Sequence, residues 1–342
     1  MAAATVQRRR RVRRSPWSGA ERGMFLIAFL FLLCTGVSGI FTGIRTLHPG
    51  GEEPQGQTIT TTTQAEASAQ TEGESEQETE PESVQEPLAA SLEQYADDEG
   101  YAGTLYQALD EHPEAAYVLR NMELYPDLYP EEILTFVTRF PEAMPFAAGY
   151  LDYTATGIKQ EIDLSGEVEQ GVIPELIQWD SRWGYYPYGE GMVGYSGCGP
   201  TCLSMVSIYL TGYHDNDPLS VANFAAENGY YTAGSGSAWT LMSQACINFG
   251  LTSKELPLDE NKVIAAVEEG KPVILAMGKG IFTDNGHFIV VYGHTEEGLL
   301  IRDPNSPANS AAVWKWSEIE NQIRNLWVFE PATPEETETG ET

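Results

Sequence analysis

The chain has 342 residues, of which 19 are Lys or Arg and 50 are Asp or Glu, so its formal net charge is −31. This length is sufficient for one or two domains with full hydrophobic cores, which need no disulfide or metal to fold. Because nucleic-acid binding depends on Lys and Arg neutralising phosphates, a chain this acidic argues against a nucleic-acid partner.

The chain begins with the pattern of a membrane anchor. Arginines cluster between residues 8 and 14, and residues 24–44 form an uncharged apolar run. That run is predicted to span the membrane, because a hydrocarbon core takes about 20 helical residues to cross. By the positive-inside rule, residues 1–23 are expected in the cytoplasm and everything after the anchor outside it. A cleaved signal peptide is the alternative, and it also exports the rest of the chain.

Two further segments precede the C-terminal half. Residues 45–92 are rich in Thr, Glu, Gln and Pro, with no Lys or Arg after Arg45, which predicts a disordered acidic stalk. Residues 331–342 have a similar polar composition and are predicted to form a disordered tail. Across residues 93–155 apolar side chains return at helical spacing, divided by prolines, which predicts a small all-α subdomain. We interpret it as a packing or propeptide-like extension or, alternatively, as a module that recognises substrate or cell wall.

Residues 170–330 are predicted to form one compact domain of helices and strands. Gly-rich turns separate β-branched strands, among them residues 272–277 and 288–292, from apolar helices. The helices are predicted at about residues 199–211 and 237–249.

The most informative run is Gly-Cys-Gly-Pro, centred on Cys198. Gly197 and Gly199 allow a tight backbone turn, and Pro200 suits the first turn of a helix. At a helix N-terminus the unpaired amides and the macrodipole favour thiolate over thiol, so Cys198 is the candidate nucleophile. Cys202, one turn later among apolar residues, is predicted to be a packing thiol.

No cofactor is expected from the cysteines and histidines. The four cysteines lack the paired spacing of a zinc site, so we predict no metal. Three cysteines follow the predicted anchor, and this odd number means that at least one thiol is free.

His287 is the candidate base for the thiolate, because it opens a predicted strand directly after Gly286. If this strand forms a hairpin with residues 299–303, either Asp303 or Asn305 lies opposite His287 and orients its ring. Both candidates have the same strand parity, so the spacing does not separate them. The other histidines after the anchor are assigned to the surface or to the helical subdomain: His112, His214 and His294.

Two further segments supply candidate site residues. Gln178 carries a neutral amide donor that suits an oxyanion hole, although a surface glutamine before a Trp-rich core patch is the alternative. Residues 234–239 are predicted to form a loop that closes into a helix capped by Ser237. Trp239 is expected to line the substrate groove or, alternatively, to pack in the core.

Four motifs occur in the order of a known family: Gln178-Trp-Asp-x-Arg-Trp-Gly, Gly194-x-Ser-Gly-Cys-Gly-Pro-Thr, Gly286-His-Phe-Ile-Val and Asp303-Pro-Asn. Residues 173–329 thereby resemble the bacteriocin-processing (double-glycine leader) peptidase-like family of papain-fold cysteine peptidases, in a stand-alone exported form.

The resemblance implies an α+β, papain-like fold, in which a helical lobe carrying Cys198 faces an antiparallel sheet. It implies that His287 is the general base and acid, that Asp303 orients it, and that Gln178 donates to the oxyanion. The residues expected to border the substrate are Gly197, Gly199, Trp239 and Gly286.

The expected activity is hydrolysis of a peptide or other amide bond through a thioester on Cys198. The same site would serve a cell-wall amidase, or a transpeptidase in which an amine replaces water. A non-catalytic surface-binding protein that retains the fold is the alternative outside enzymes. The expected partners are a peptide or protein substrate and the membrane around the N-terminal helix, with the catalytic domain on the extracellular side.

Overall fold

The computed structural model describes residues 92–157 and 161–333. The predicted cytoplasmic tail, membrane anchor and almost all of the predicted stalk lie outside the described residues, as does most of the predicted C-terminal tail. None of the helices in the described ranges is long and apolar enough to cross a membrane.

Four α-helices make up the first described segment, with short 3-10 turns at Glu93–Tyr95 and Pro141–Ala143. Acidic residues in the first turn of the third helix and Arg139 in its last turn complement the helix dipole. The fourth helix ends at Gly157, whose φ of 60° is the left-handed conformation that glycine adopts without strain. The four helices are α1 (Tyr101–Gln107), α2 (Ala115–Leu124), α3 (Glu131–Arg139) and α4 (Met144–Thr156).

An antiparallel sheet of six strands dominates the second segment, in the order β5-β10-β6-β7-β8-β9. Two further sheets have two strands each, β1 with β2 and β3 with β4. The strands are β1 (Pro187–Tyr188), β2 (Gly191–Met192), β3 (Tyr231–Thr232), β4 (Gly236–Ser237), β5 (Leu251–Glu255), β6 (Val273–Gly278), β7 (Gly286–Thr295), β8 (Gly298–Arg302), β9 (Val313–Trp314) and β10 (Ile323–Pro331).

Helices cover both faces of this sheet. The helices of this segment are α5 (Val193–Ser196), α6 (Cys198–Thr211), α7 (Pro218–Glu227), α8 (Thr240–Ser243), α9 (Glu260–Glu268), α10 (Pro307–Ala311) and α11 (Trp316–Ile319), with 3-10 turns at Ala245–Phe249 and Glu320–Gln322. Alternate residues of β6 and β7 contribute to two hydrophobic cores, one around α6 and the other around α9. Helix α6 is buried at every residue from Gly199 to Ile208, because it lies inside the first core.

The α+β prediction is confirmed, with a helical layer against an antiparallel sheet. The predicted helix at 237–249 is confirmed only in part, because it begins later than predicted and is divided into two short pieces. Ser237 belongs to β4, where it pairs with Tyr231, and Trp239 rather than Ser237 occupies the N-cap position of α8. The Ser237 hydroxyl is bonded to Tyr188 instead of capping the helix, and the chain after residue 244 continues as a 3-10 turn.

The first helical segment packs against the chain that leads to Cys198. Phe146 of α4 stacks on Tyr185, with ring centroids 4.7 Å apart, and its carbonyl accepts a hydrogen bond from the Tyr185 hydroxyl. The Phe146 ring also lies against Gly194, where any side chain would collide with it. Arg139 forms an ion pair with Asp284, in the loop before β7. The first helical segment therefore contacts both the chain before Cys198 and the loop before His287.

Candidate active site

Cys198 is the first residue of α6, and Gly197 occupies the N-cap position. The Gly197 carbonyl accepts from both the amide and the hydroxyl of Thr201, at 3.0 and 2.9 Å. These bonds fix the first turn of the helix. The Cys198 side chain is half-buried, so it is held by the fold and remains reachable. The predicted position of a thiol at a helix N-terminus is what the structure shows.

The glycines beside Cys198 are constrained by close packing. A Cβ at Gly197 would lie 2.6 Å from the Val193 carbonyl oxygen, and one at Gly199 would lie 2.5 Å from the Ser237 Oγ. Both glycines are buried. Gly286 differs from them because it is exposed and has open space where a Cβ would be.

His287 and Asp303 form a buried hydrogen-bonded pair. The His287 Nε2 lies 2.7 Å from the Asp303 Oδ1, and the two residues are 3% and 1% exposed. Asn305, the other candidate, directs its backbone amide to the same Oδ1 at 2.9 Å. The geometry thus separates the two candidates, since the carboxylate of Asp303 contacts the ring.

The sheet register explains why parity alone did not choose between them. Val290 pairs with Arg302, and continuing that register would place residue 305 opposite His287. The chain leaves β8 after Arg302, so Asp303 turns back toward His287 instead of extending the strand. A register irregularity between residues 291 and 293 accompanies this departure.

Asp303 is held by residues that the motif analysis missed. Its Oδ2 accepts from the Asn309 amide group at 2.7 Å, and its backbone amide donates to the Ser310 hydroxyl at 2.9 Å. Both residues belong to α10, which Ser306 caps through the Asn309 amide. The sequence signal was a Ser-Pro helix start three residues after Asp303, and it was overlooked.

The environment of His287 favours its protonated form. Burial by itself lowers the pKa of the ring, but the charge and hydrogen bond of Asp303, together with Cys198, outweigh burial and raise this pKa to about 10. Cys198 lies close enough to the ring to contribute to this raised pKa. Because Nε2 is bonded to Asp303, Nδ1 is the ring atom that serves Cys198. This arrangement favours an imidazolium beside the Cys198 side chain.

Gln178 is fully buried between the two loops that carry the other candidates. Its backbone amide donates to the Pro304 carbonyl at 2.9 Å, and its Nε2 donates to the Gly194 carbonyl at 3.0 Å. The alternative of a surface glutamine is therefore wrong. An amide nitrogen carries two hydrogens, so one remains available for an oxyanion.

Trp239 is 48% exposed and packs edge-on against Trp327, with ring centroids 5.8 Å apart. The core alternative for this tryptophan is wrong. It lies two residues after Ser237, which contacts the first turn of α6, and an exposed aromatic face in that position is available to a substrate.

The other two thiols in the described residues, Cys202 and Cys246, do not belong to the candidate site. Cys202 is fully buried, and burial, followed by the charges of Cys198 and Asp303, holds its pKa well above the ordinary value. Burial also raises the pKa of the Cys246 thiol. In residues 92–157 and 161–333, no cluster of three or more His, Cys, Asp or Glu residues is arranged to hold a metal ion.

Residues 173–329 match the model of the Peptidase_C39 like family. No curated protein matches the chain. One similar solved structure is the peptidase domain of Streptococcus ComA, a bi-functional ABC transporter involved in quorum sensing, with 18% identity over 40% of this chain and 92% of that one and a TM-score of 0.32. A second is a C39-like peptidase from Bacillus anthracis, with 15% identity over 51% of this chain and 100% of that one and a TM-score of 0.31.

Proposed function

Since this chain belongs through residues 173–329 to the Peptidase_C39 like family, and is therefore a cysteine-type peptidase, we propose that Cys198 is its nucleophile and that His287 is its base and acid. One observation carries this assignment. The buried His287–Asp303 pair lies near the thiol that begins helix α6, near enough for Cys198 to affect the pKa of the ring. These are the parts that nucleophilic acyl transfer requires: a thiol, a base, and a third group that orients the base.

In the proposed reaction, the Cys198 thiolate attacks the carbonyl carbon of a peptide or other amide bond. The oxyanion that forms is met by the positive end of α6 and by the second hydrogen of the Gln178 amide. Asp303 keeps His287 protonated and oriented, so that the ring gives its proton to the leaving nitrogen as the C–N bond breaks.

The second half of the proposed reaction releases the thioester. His287 takes a proton from water, the hydroxide attacks the acyl carbon, and the C–S bond breaks to return the thiolate. An amine in place of water would give transfer instead of hydrolysis. Gly197, Gly199, Gly286 and Trp239 are proposed to border the bound substrate.

We also propose that the peptidase acts outside the cytoplasm, tethered by residues 24–44. The support is the uncharged apolar run with arginines before it. Protease treatment of intact cells that produce the full-length chain tests this proposal. Extracellular location predicts that the C-terminal half is cleaved in intact cells, whereas its protection until the cells are lysed would contradict it.

Alkylation of the full-length protein by iodoacetamide tests the proposed nucleophile. Each thiol is followed by mass spectrometry between about pH 4 and pH 9, a range that spans the ordinary pKa values of His and Cys. Cys198 should react far faster than Cys202 and Cys246 below neutral pH, and His287→Ala should remove that advantage. A Cys198 that reacts as an ordinary thiol in the unchanged protein would contradict the assignment.

A further inference from the structure

Two buried hydroxyls next to Cys198 have no part in the mechanism above. Tyr188 and Ser237 are buried, and their oxygens lie 2.8 Å apart in a hydrogen bond. Among the residues that the structure describes, neither hydroxyl has another hydrogen-bond partner. Burying a hydroxyl costs free energy unless its hydrogen bonds are made. A buried hydroxyl pair beside a nucleophile is therefore expected to have a function.

Two small strand pairs hold these hydroxyls together. Tyr188 ends β1 and Ser237 ends β4, while Tyr231 of β3 packs edge-on against Tyr188 with ring centroids 5.1 Å apart. The Tyr231 hydroxyl accepts from the Glu190 amide at 3.1 Å. A side chain at Gly189 would collide with the Tyr231 ring. The hydroxyl pair therefore sits in a rigid frame.

Ser237 contacts the first turn of α6. Its Oγ would lie 2.5 Å from a Cβ at Gly199, the residue directly after Cys198. Burial raises the pKa of the Tyr188 phenol most; the bond to Ser237 opposes this increase, and the charge of Cys198 adds a smaller increase. Tyr188 is therefore a neutral donor around neutral pH.

We propose that Tyr188 and Ser237 are positioning residues for the nucleophile: Tyr188 donates to Ser237, and Ser237 holds the first turn of α6 with its own hydrogen directed toward the anion that forms at Cys198. Two hydroxyls carry two hydrogens, and their mutual bond uses only one of them. The second hydrogen needs an acceptor, and the acceptor that we propose is the anion at Cys198. This inference rests on the proposed role of Cys198 as nucleophile.

Single-hydroxyl deletions in the full-length protein test the pair. Tyr188→Phe and Ser237→Ala should each slow alkylation of Cys198 below neutral pH by about tenfold, the worth of one hydrogen bond to a charged group. Each should also move the pH midpoint of that alkylation upward, because Ser237→Ala removes the donor to the anion and Tyr188→Phe removes the group that orients this donor. The double variant should be no slower than the slower single variant, since the two hydroxyls act as a unit.

Tyr231→Phe is the matched control, because it removes a hydroxyl from the same frame without touching the pair. It should keep the pH midpoint of the unchanged protein. If Tyr188→Phe or Ser237→Ala keeps that midpoint, the inference is overturned, even where the melting temperature falls. If Cys198 of the unchanged protein reacts no faster than Cys246, the proposed function fails instead, so the two failures are distinguishable.

Discussion

The Cys202 Sγ donates a hydrogen bond to the backbone carbonyl of Phe288, at 3.2 Å. Cys202 lies one helical turn after Cys198, and Phe288 directly follows His287. The bond therefore joins helix α6, which carries Cys198, to strand β7, which carries His287. We therefore expect the spacing between the two candidate catalytic groups to depend on this hydrogen bond as well as on the surrounding core.

Cys202→Ala should destabilise the protein by about 1–3 kcal/mol, through a lost hydrogen bond and a small cavity. It should also slow Cys198 alkylation, because helix α6 and strand β7 are less tightly held. Urea unfolding and the alkylation assay measure the two effects. Cys246→Ala is the control, since that thiol is also buried but lies 3.6 Å from the Ser253 hydroxyl instead of contacting β7. Equal slowing in both variants would show that Cys202 has no special part in alignment.

Asp303→Asn should lower the pKa of His287, because the variant keeps a hydrogen-bonding group but loses the charge that favours the imidazolium. An NMR titration of the His287 ring follows this pKa directly. Asp284→Asn removes a carboxylate three residues before His287, where it is exposed and paired with Arg139, and should leave the titration unchanged. A His287 pKa that does not move in Asp303→Asn would contradict the assigned cause.

His287 should also make folding stability depend on pH. Its pKa rises from 6.5 to about 10 in the folded state, so the native protein binds this proton more tightly than the unfolded chain does. The resulting stabilisation is complete below about pH 6.5 and is lost as the pH rises through about 10.

Urea unfolding of the unchanged protein and of His287→Gln, measured at both ends of this pH range, tests this prediction. The comparison isolates the contribution of the His287 ring to the free energy of unfolding. The difference in free energy of unfolding between the two proteins should shrink toward high pH. The glutamine can still donate to Asp303, so the comparison removes the titration with little change in shape. A difference that grows with pH would mean that the native state favours the neutral ring.

Local signals were sufficient to predict the start of α6 at Cys198, because Gly197, Gly199 and Pro200 specify that turn by their own backbone preferences. The hairpin of His287 was equally accessible, since two apolar runs flank a short turn.

The family resemblance pointed to Asp303, but the choice of Asp303 over Asn305 could not be derived from strand parity. It depends on where the chain leaves β8 and on the bond from Asn309, and both are tertiary facts. The predicted helix cap at Ser237 failed for the same kind of reason. A buried contact with Tyr188, 49 positions away in the chain, outweighs the local capping preference.

Phe146→Ala should reduce both stability and activity, because this ring joins the first helical segment to the chain before Cys198. The ring stacks on Tyr185 and lies against Gly194, whose carbonyl accepts from the Gln178 amide. Truncation should cost about 3–5 kcal/mol, as for other buried aromatic side chains. It should also slow Cys198 alkylation, because the Gly194 backbone is no longer held in place.

Phe136→Ala is the matched control for this variant. Phe136 is buried in the core of the first helical segment and packs on Phe140, with ring centroids 5.3 Å apart. Its loss should destabilise the helical segment while leaving Gly194 in place. If only Phe146→Ala slows alkylation, at a temperature where both variants are folded, the helical segment contributes to the reactivity of Cys198. Equal rates in the two variants would make it a packing extension without influence on the thiol.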